Sequence, residues 1–254
     1  MSSSSPSSPV ALVTGASSGI GRATAERLAA EGFTVHATAR RVDRLASLAE
    51  RTGCTTHALD VRDTEAMSAL AAGIGRIDVL VNNAGLGRMD GTLAESSIDD
   101  IAVTIETNVT ALLVVTGAVL RGMVERRSGH IVNVGSVTAL YAAPNALYGA
   151  SKAAIHRLST NLRLELRGSG VRVTEICPGR VTTEFYDVAI SDPDRRAAAT
   201  DTGIEEVTAA EIADAIHYAV AVPPHVNVNR IELQPTGQAY GGMFFDPVAA
   251  RDGG

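Results

Sequence analysis

The chain has 254 residues, 45% hydrophobic and 20% charged, with a formal net charge of −6 and no tryptophan. That length can bury one large core or two small ones, and the acidic balance argues against non-specific nucleic-acid binding. Two cysteines, Cys54 and Cys177, make neither a disulfide framework nor a zinc pattern and fit a reducing compartment.

Residues 1–9 lack the basic and apolar regions of a signal peptide and read as a short disordered tail. An apolar run at 10–14 reads as a first strand, followed by a helix at 20–30 that Gly32 can close. A strand at 33–39, a helix at 41–51, a strand ending at 57–60 and a helix at 63–72 follow. A strand at 77–81 then leads to a long helix at 97–126. Its most apolar part, residues 109–120, is shorter than a bilayer span. Next come a strand at 130–134, a helix at 147–167 stopped by Gly168 and Gly170, and a strand at 171–177 stopped by Pro178-Gly179. After a polar segment at 182–207, a helix at 209–220 and a last strand at 226–233 complete the series.

Repeated β-α-β units imply an α/β fold, a parallel sheet covered by helices on both faces, with right-handed crossovers. No composition break divides residues 10–254, so the expectation is one domain. The expected protein is soluble, cytoplasmic and free of membrane segments. The glycine-rich stretch after Pro235 fits neither element type and can cover an edge or a partner subunit.

The first strand runs into Thr14-Gly15-Ala-Ser17-Ser18-Gly19-Ile20-Gly21. Glycines at this spacing allow a tight turn, close approach of backbone to a phosphate, and close helix packing. The following helix aims its amides and positive dipole end at the anion. At the end of the second strand, Ala39 stands where an NAD site needs an acid for the ribose hydroxyls, and Arg40 and Arg41 follow. Arginines there accommodate the 2′-phosphate of NADP; the alternative is a solvated helix start. Asp60, beside Val61, can accept from an adenine amino group or cap the next helix.

Of the 22 lysines and arginines only Lys152 is lysine, and it stands four residues after Tyr148. At i and i+4 the two share a helix face. A compact ammonium beside a phenol favours the phenolate and lowers a pKa that is otherwise near 10. Ser136 leaves the fifth strand at its carboxyl end, the side where open α/β sheets bind ligands.

Taken in order, Thr14-Gly-Ala-Ser-Ser-Gly-Ile-Gly21, Asn82-Asn83-Ala84-Gly85, Asn108, Ser136, Tyr148-x-x-x-Lys152 and Pro178-Gly179 make residues 10–235 resemble the short-chain dehydrogenase/reductase family. The resemblance implies a Rossmann-like doubly wound sheet of about seven strands in the order 3-2-1-4-5-6-7, and an NADP(H)-dependent oxidoreductase interconverting a carbonyl and an alcohol. It implies Tyr148 as general acid/base, Lys152 as its activator, Ser136 as carbonyl anchor and Asn108 as a water-holding relay. It also implies that Asn83, Ala84 and Gly85 pass near the adenine ribose, with Val181 and Thr183 at the carboxamide and phosphate. Gly135 stands where many relatives carry a second serine.

Specificity falls to residues 137–145, where Leu140, Tyr141 and Pro144 suggest an apolar wall, and to 184–207, read as a mobile lid. Arg180, Arg195 or Arg196 can meet a substrate anion or be solvated. The last strand resembles a branch holding NADP-dependent 3-hydroxy-acid and serine dehydrogenases; reductases of bacterial secondary metabolism end similarly. Relatives commonly pair through the two long helices as dimers or tetramers. The competing readings are an epimerase or dehydratase on the same scaffold, and a non-catalytic dinucleotide sensor. Intact Ser136, Tyr148 and Lys152 argue against the sensor, which needs no proton donor.

Overall fold

Strands and helices alternate along the chain in the computed structural model, which describes residues 8–238 and 244–247. Residues 1–7 of the tail expected at 1–9, and most of the glycine-rich tail, lie outside the described residues. In chain order the first elements are β1 (Val10–Thr14), α1 (Gly19–Ala30), β2 (Thr34–Ala39), α2 (Val42–Thr52), β3 (Thr55–Ala58), α3 (Thr64–Ile74) and β4 (Val79–Asn82). Then come α4 (Ile98–Ile105), α5 (Ala111–Glu125), β5 (Gly129–Val134), α6 (Ala146–Glu165) and β6 (Val171–Pro178). The last are β7 (Val181–Thr182), α7 (Phe185–Ala189), α8 (Pro193–Thr200), β8 (Val207–Thr208), α9 (Ala209–Ala221) and β9 (Arg230–Leu233).

Seven strands make one parallel sheet, in the order β3-β2-β1-β4-β5-β6-β9. This is the expected Rossmann-like order, with β9 as its seventh strand. The two-residue periodicity of each strand divides the core in two. Ala11 and Val13 of β1, Val79 and Val81 of β4, and Val132 and Val134 of β5 face α1, α2 and α9. Leu12, Leu80 and Ile131 face the other way, onto Met67 of α3, Val115 and Val119 of α5 and Leu162 of α6. The strand order reverses between β1 and β4, and a crevice opens there at the carboxyl ends.

Helix starts follow their caps. Asp63, not Asp60, caps α3 by accepting from the Ala66 N–H. Thr208 and Glu211 form a capping box on α9. Asn145 caps α6 by accepting from the Tyr148 N–H at 2.8 Å, which fixes Tyr148 in the first turn. The helical run Ile98–Glu125 has the length and apolarity of a membrane span, longer than the 109–120 stretch suggested. Its buried residues Leu112, Val115, Val119 and Met123 belong to the sheet-facing side.

The polar segment at 184–207 is not a bare loop. It carries α7 and α8 and is tied down by the β7–β8 pair. Asp192 caps α8 by accepting from the Arg195 N–H, with Pro193 at the first helical position. Ala189 and Ile190 are buried.

Candidate active site

The turn from β1 into α1 is shaped by close approach. Gly15 and Gly19 have φ of +69° and +51°, and a Cβ on Gly15 would meet the Ala84 Cα at 2.8 Å. Asn83 explains the closeness: its Nδ2 donates to the carbonyls of Thr14 at 2.9 Å and Gly15 at 3.2 Å. The Thr14 hydroxyl oxygen accepts from the N–H groups of Asn83 and Ala84, both at 3.1 Å. The 14–21 and 82–85 loops are thus stitched together. Gly21 does not line the cleft; a Cβ there would strike the Asn83 side chain and the Gly15 carbonyl. Ser18, the cap residue of α1, makes no side-chain cap bond, and the first turn holds no acid. That leaves the positive end of α1 facing the cleft.

Arg41 donates from Nε and Nη2 to the Ser17 hydroxyl at 3.1 and 3.0 Å, and from Nη2 to the Ser18 hydroxyl at 2.6 Å. Its Nη1 donates to Glu184 at 3.0 Å, and Arg44 donates to the same carboxylate at 2.5 and 2.6 Å. The Arg44 bond, more than Arg41, holds Glu184 below the usual carboxylate range. Arg40 is exposed, 3.9 Å from Asp60. Asp60 lies past the end of β3 and binds Arg62, whose hydrogen bond depresses its pKa. Two guanidiniums sharing one carboxylate, one of them also held by two serine hydroxyls, with apolar Ala39 in place of an acid, fit the 2′-phosphate of NADP.

At the other end of the cleft Ser136 leaves β5. Its oxygen accepts from Thr138 N–H at 3.2 Å and Thr138 Oγ1 at 3.0 Å, so its own proton is available to a third group. Lys152 is buried, and its ammonium donates to the Val134 carbonyl at 2.9 Å and lies 5.7 Å from the centre of the Tyr148 ring. The electrostatics correct the expectation of a lowered tyrosine. Burial pushes Tyr148 up beyond its ordinary value, and a hydrogen bond from Ser136 only partly offsets this. Burial likewise lowers Lys152 to about 8, against the pull of Cys177 and Glu175. In the protein alone, desolvation dominates at both groups. At neutral pH Tyr148 keeps its proton and Lys152 its charge.

Asn108 is fully buried in a π turn, Glu106–Thr110, between α4 and α5. Its oxygen accepts from the Leu86 N–H at 2.9 Å; its amide donates to the Leu86 carbonyl at 2.8 Å and the Ser151 hydroxyl at 2.9 Å. It therefore ties the loop after β4 to α6. A Cβ on Gly85 would meet both Asn108 Oδ1 and Lys152 Nζ, at 3.3 and 3.5 Å.

One cleft of about 780 Å³ joins the two ends. Gly15, Ser17, Ser18, Gly19 and Ile20 line it with Arg40, Arg41, Asp60 and Val61. So do Asn83, Ala84 and Gly85, Ser136, Tyr148 and Lys152, and Pro178, Gly179, Val181 and Thr183. Gly21 and Asn108 sit behind this lining. One residue of the expected apolar wall lines the cleft. Pro144 is in it, but Leu140 and Tyr141 are not, and the Tyr141 hydroxyl donates to Glu232 on β9. Phe185, Val188 and Ile190 from the lid supply the apolar surface instead.

Of the two expectations for Arg180, a substrate-anion contact or a solvated charge, the structure contradicts the solvated one. Arg180 is buried, bound to Glu206 at 2.6 Å and stacked on Tyr186. Local sequence does not distinguish Glu184, Arg44, Phe185, Tyr186 or Glu206, each of which acts through a partner outside its own turn.

Comparison with known proteins matches the arrangement. The family model for short chain dehydrogenase matches residues 9–193. Sulfoacetaldehyde reductase of Chromohalobacter salexigens is 41% identical over 245 residues, 92% of this chain and 97% of that protein. NADP-dependent 3-hydroxy acid dehydrogenase of Escherichia coli K12 is 39% identical over 243 residues, 92% and 98% of the two chains. The closed form of serine dehydrogenase complexed with NADP+ superposes with a TM-score of 0.87 at 38% identity, covering 92% of this chain and 97% of that one.

Proposed function

The chain belongs to the short-chain dehydrogenase family, and from that premise we propose that it is an NADP(H)-dependent oxidoreductase interconverting a small carbonyl compound, a 3-hydroxy acid's keto or aldehyde partner, and its alcohol. The carrying observation is the meeting in one cleft of Ser136, Tyr148 and Lys152 with the arginine–serine cradle of Arg41, Ser17 and Ser18. Bound NADPH supplies the hydride.

The remaining work belongs to the chain. Arg41 and Arg40 hold the 2′-phosphate, and the amides at the start of α1 face the pyrophosphate. Ser136 turns its proton from Tyr148 to the carbonyl oxygen, and Tyr148, kept protonated by burial, donates to the same oxygen and then transfers its proton. Lys152 stays charged at neutral pH and stabilises the phenolate left behind. Asn108 holds the loop at Leu86 and the helix at Ser151 in register around Lys152, and in this reading also orders a relay water.

We read the region from residue 10 onward as one cytoplasmic catalytic domain with residues 184–207 as its lid. Leu113 and Val124 of α5 and Leu164 of α6 are large apolar residues left exposed, which supports pairing with a second copy through these helices. Light scattering of the purified protein tests this; a monomer at micromolar concentration overturns it.

The function is tested by titrating the protein with NADPH and with NADH, and by Tyr148→Phe. We expect strong preference for NADPH. The variant is expected to lose at least about 100-fold in turnover while binding NADPH within about threefold of wild type, because the phenol donates a proton without holding the phosphates. Full activity in Tyr148→Phe overturns the assignment, and carbonyl conversion without stoichiometric NADPH consumption points to an epimerase or dehydratase.

A further inference from the structure

Arg180 follows Pro178-Gly179 at the end of β6 and lines the cleft, yet its side chain is only 3% exposed. Arginine is rarely buried to that degree unless its donors are engaged. Here they are engaged only in part. Nε donates to Glu206 Oε1 at 2.6 Å and Nη2 to the Ala199 carbonyl at 2.7 Å. Nη1 is buried with no hydrogen-bond partner. Among the described arginines of the cleft, Arg180 alone leaves a buried guanidinium nitrogen unpartnered.

Aromatic contacts connect it with the reaction centre. The guanidinium carbon lies 3.9 Å from the centre of the Tyr186 ring. Tyr186 meets Phe185 edge-on at 5.3 Å, and Phe185 meets Tyr148 at the same distance. An unbroken aromatic chain therefore leads from Arg180 to the proton donor, and stacking on Tyr186 fixes the plane of the guanidinium. The two lid arginines are placed differently. Arg195 is exposed and acts on the carboxylates of Asp90 and Glu95, while Arg196 is held by the Ile190 carbonyl at 3.3 Å and lies 3.8 Å from Asp187.

A buried donor with no partner is a rare arrangement that a ligand oxygen completes. We propose that Arg180 binds the anionic group, a carboxylate or a sulfonate, of a small carbonyl substrate whose oxygen sits at Ser136 and Tyr148; this rests on the oxidoreductase reading above. Glu206 already balances the charge of Arg180, so the contribution is a directed, charge-assisted hydrogen bond rather than long-range attraction. Selectivity then follows from the unused N–H groups. A neutral substrate leaves them unpaired and an anionic one satisfies them.

The test is calorimetric titration of the full-length protein saturated with NADP+. The probes are 3-hydroxypropanoate, 2-hydroxyethanesulfonate and uncharged 1,3-propanediol. In Arg180→Met the two anions are expected to lose at least about 30-fold more affinity than the diol, with NADPH binding intact. Arg180→Lys, which keeps the charge without the fork, falls between. If Arg180→Met does not fold, Arg180→Met/Glu206→Gln removes the stranded carboxylate and carries the same expectation. The stronger of the two anions names the preferred group. Equal losses for anions and diol, or wild-type protein that binds the anions no better than the diol, overturn the proposal. A separate assay of NADPH oxidation with propanal, malonate semialdehyde and sulfoacetaldehyde isolates the underlying reading. Arg180-dependent anion binding without any turnover keeps the anion site and overturns the oxidoreductase reading; turnover without Arg180-dependent binding does the reverse.

Discussion

Arg41 presents the cofactor question as a competition at one side chain. Its guanidinium binds Ser17, Ser18 and the Glu184 carboxylate, and a 2′-phosphate seeks the same donors. Removing the cation and removing its competitor therefore act in opposite directions. Arg41→Ala is expected to weaken NADPH by about 10- to 100-fold, the scale of a charge-assisted pair, and to leave NADH nearly unchanged. Glu184→Gln is expected to tighten NADPH several-fold, again sparing NADH. Fluorescence titration of both nucleotides checks the pair, and matched shifts for NADPH and NADH would remove Arg41 from the phosphate. Lys152 gives a second contrast. Burial lowers it to about 8 from an ordinary value of 10.5, so the folded protein carries its charge at neutral pH against a desolvation penalty. Lys152→Met is expected to keep or raise the melting temperature at pH 7 while turnover drops about 100-fold or more, a stability–activity trade-off. A melting temperature lowered by ten degrees would mean that the bond to Val134 outweighs the burial penalty.

Among the elements, the π turn at Glu106–Thr110 does the most positioning. One extra residue in that turn goes with a buried Asn108 that bonds Leu86 twice and Ser151 once. Asn108→Ala leaves those buried groups unpaired, with an expected cost of about 2–4 kcal/mol. For a domain of this size that is a fall of roughly 4–16 °C in melting temperature. A smaller fall with full activity would reduce Asn108 to a packing residue. The sequence exposed the position of this asparagine in a long helix but not the π turn, a single-residue shift of helical phase within a run that stays apolar on both sides of it. It exposed the strands well, because each sheet strand but the edge strands β3 and β9 is a short apolar or β-branched run stopped by glycine, proline or a polar turn. The lid was harder. Asp192-Pro193 is a readable helix start, but Phe185, Ala189 and Ile190 find their places only against Tyr148 and the cleft. Arg180 was hardest, since its partner Glu206 is 26 residues away and nothing local distinguishes it from a surface arginine.

For the molecule as a whole, the sheet's own buried histidines are expected to make stability fall with acid. His130, at the start of β5, is 2% exposed. Its Nε2 lies 2.8 Å from the Thr174 hydroxyl, which itself donates to the Val228 carbonyl. The ring must therefore be the donor to Thr174, which makes Nδ1 the bare nitrogen, buried and without a partner. Burial, with Arg172 nearby, pushes His130 down to about 3. His36 and His57, stacked between β2 and β3 with ring nitrogens 3.0 Å apart, are also lowered by burial. The sign follows from proton counting. The unfolded chain takes up protons near 6.5 and the folded chain does not, so stability is complete above about 6.5 and declines as pH falls toward 3. Between pH 7.5 and 5.0 His130 alone accounts for a loss of about 2 kcal/mol, a sizeable share of a typical 5–15 kcal/mol. Urea unfolding of wild type and His130→Gln at the two pH values measures it. The variant is expected to be less stable at pH 7.5 yet to lose about 2 kcal/mol less on acidification. An unchanged pH slope would mean that the carboxylates, not this buried ring, govern acid unfolding.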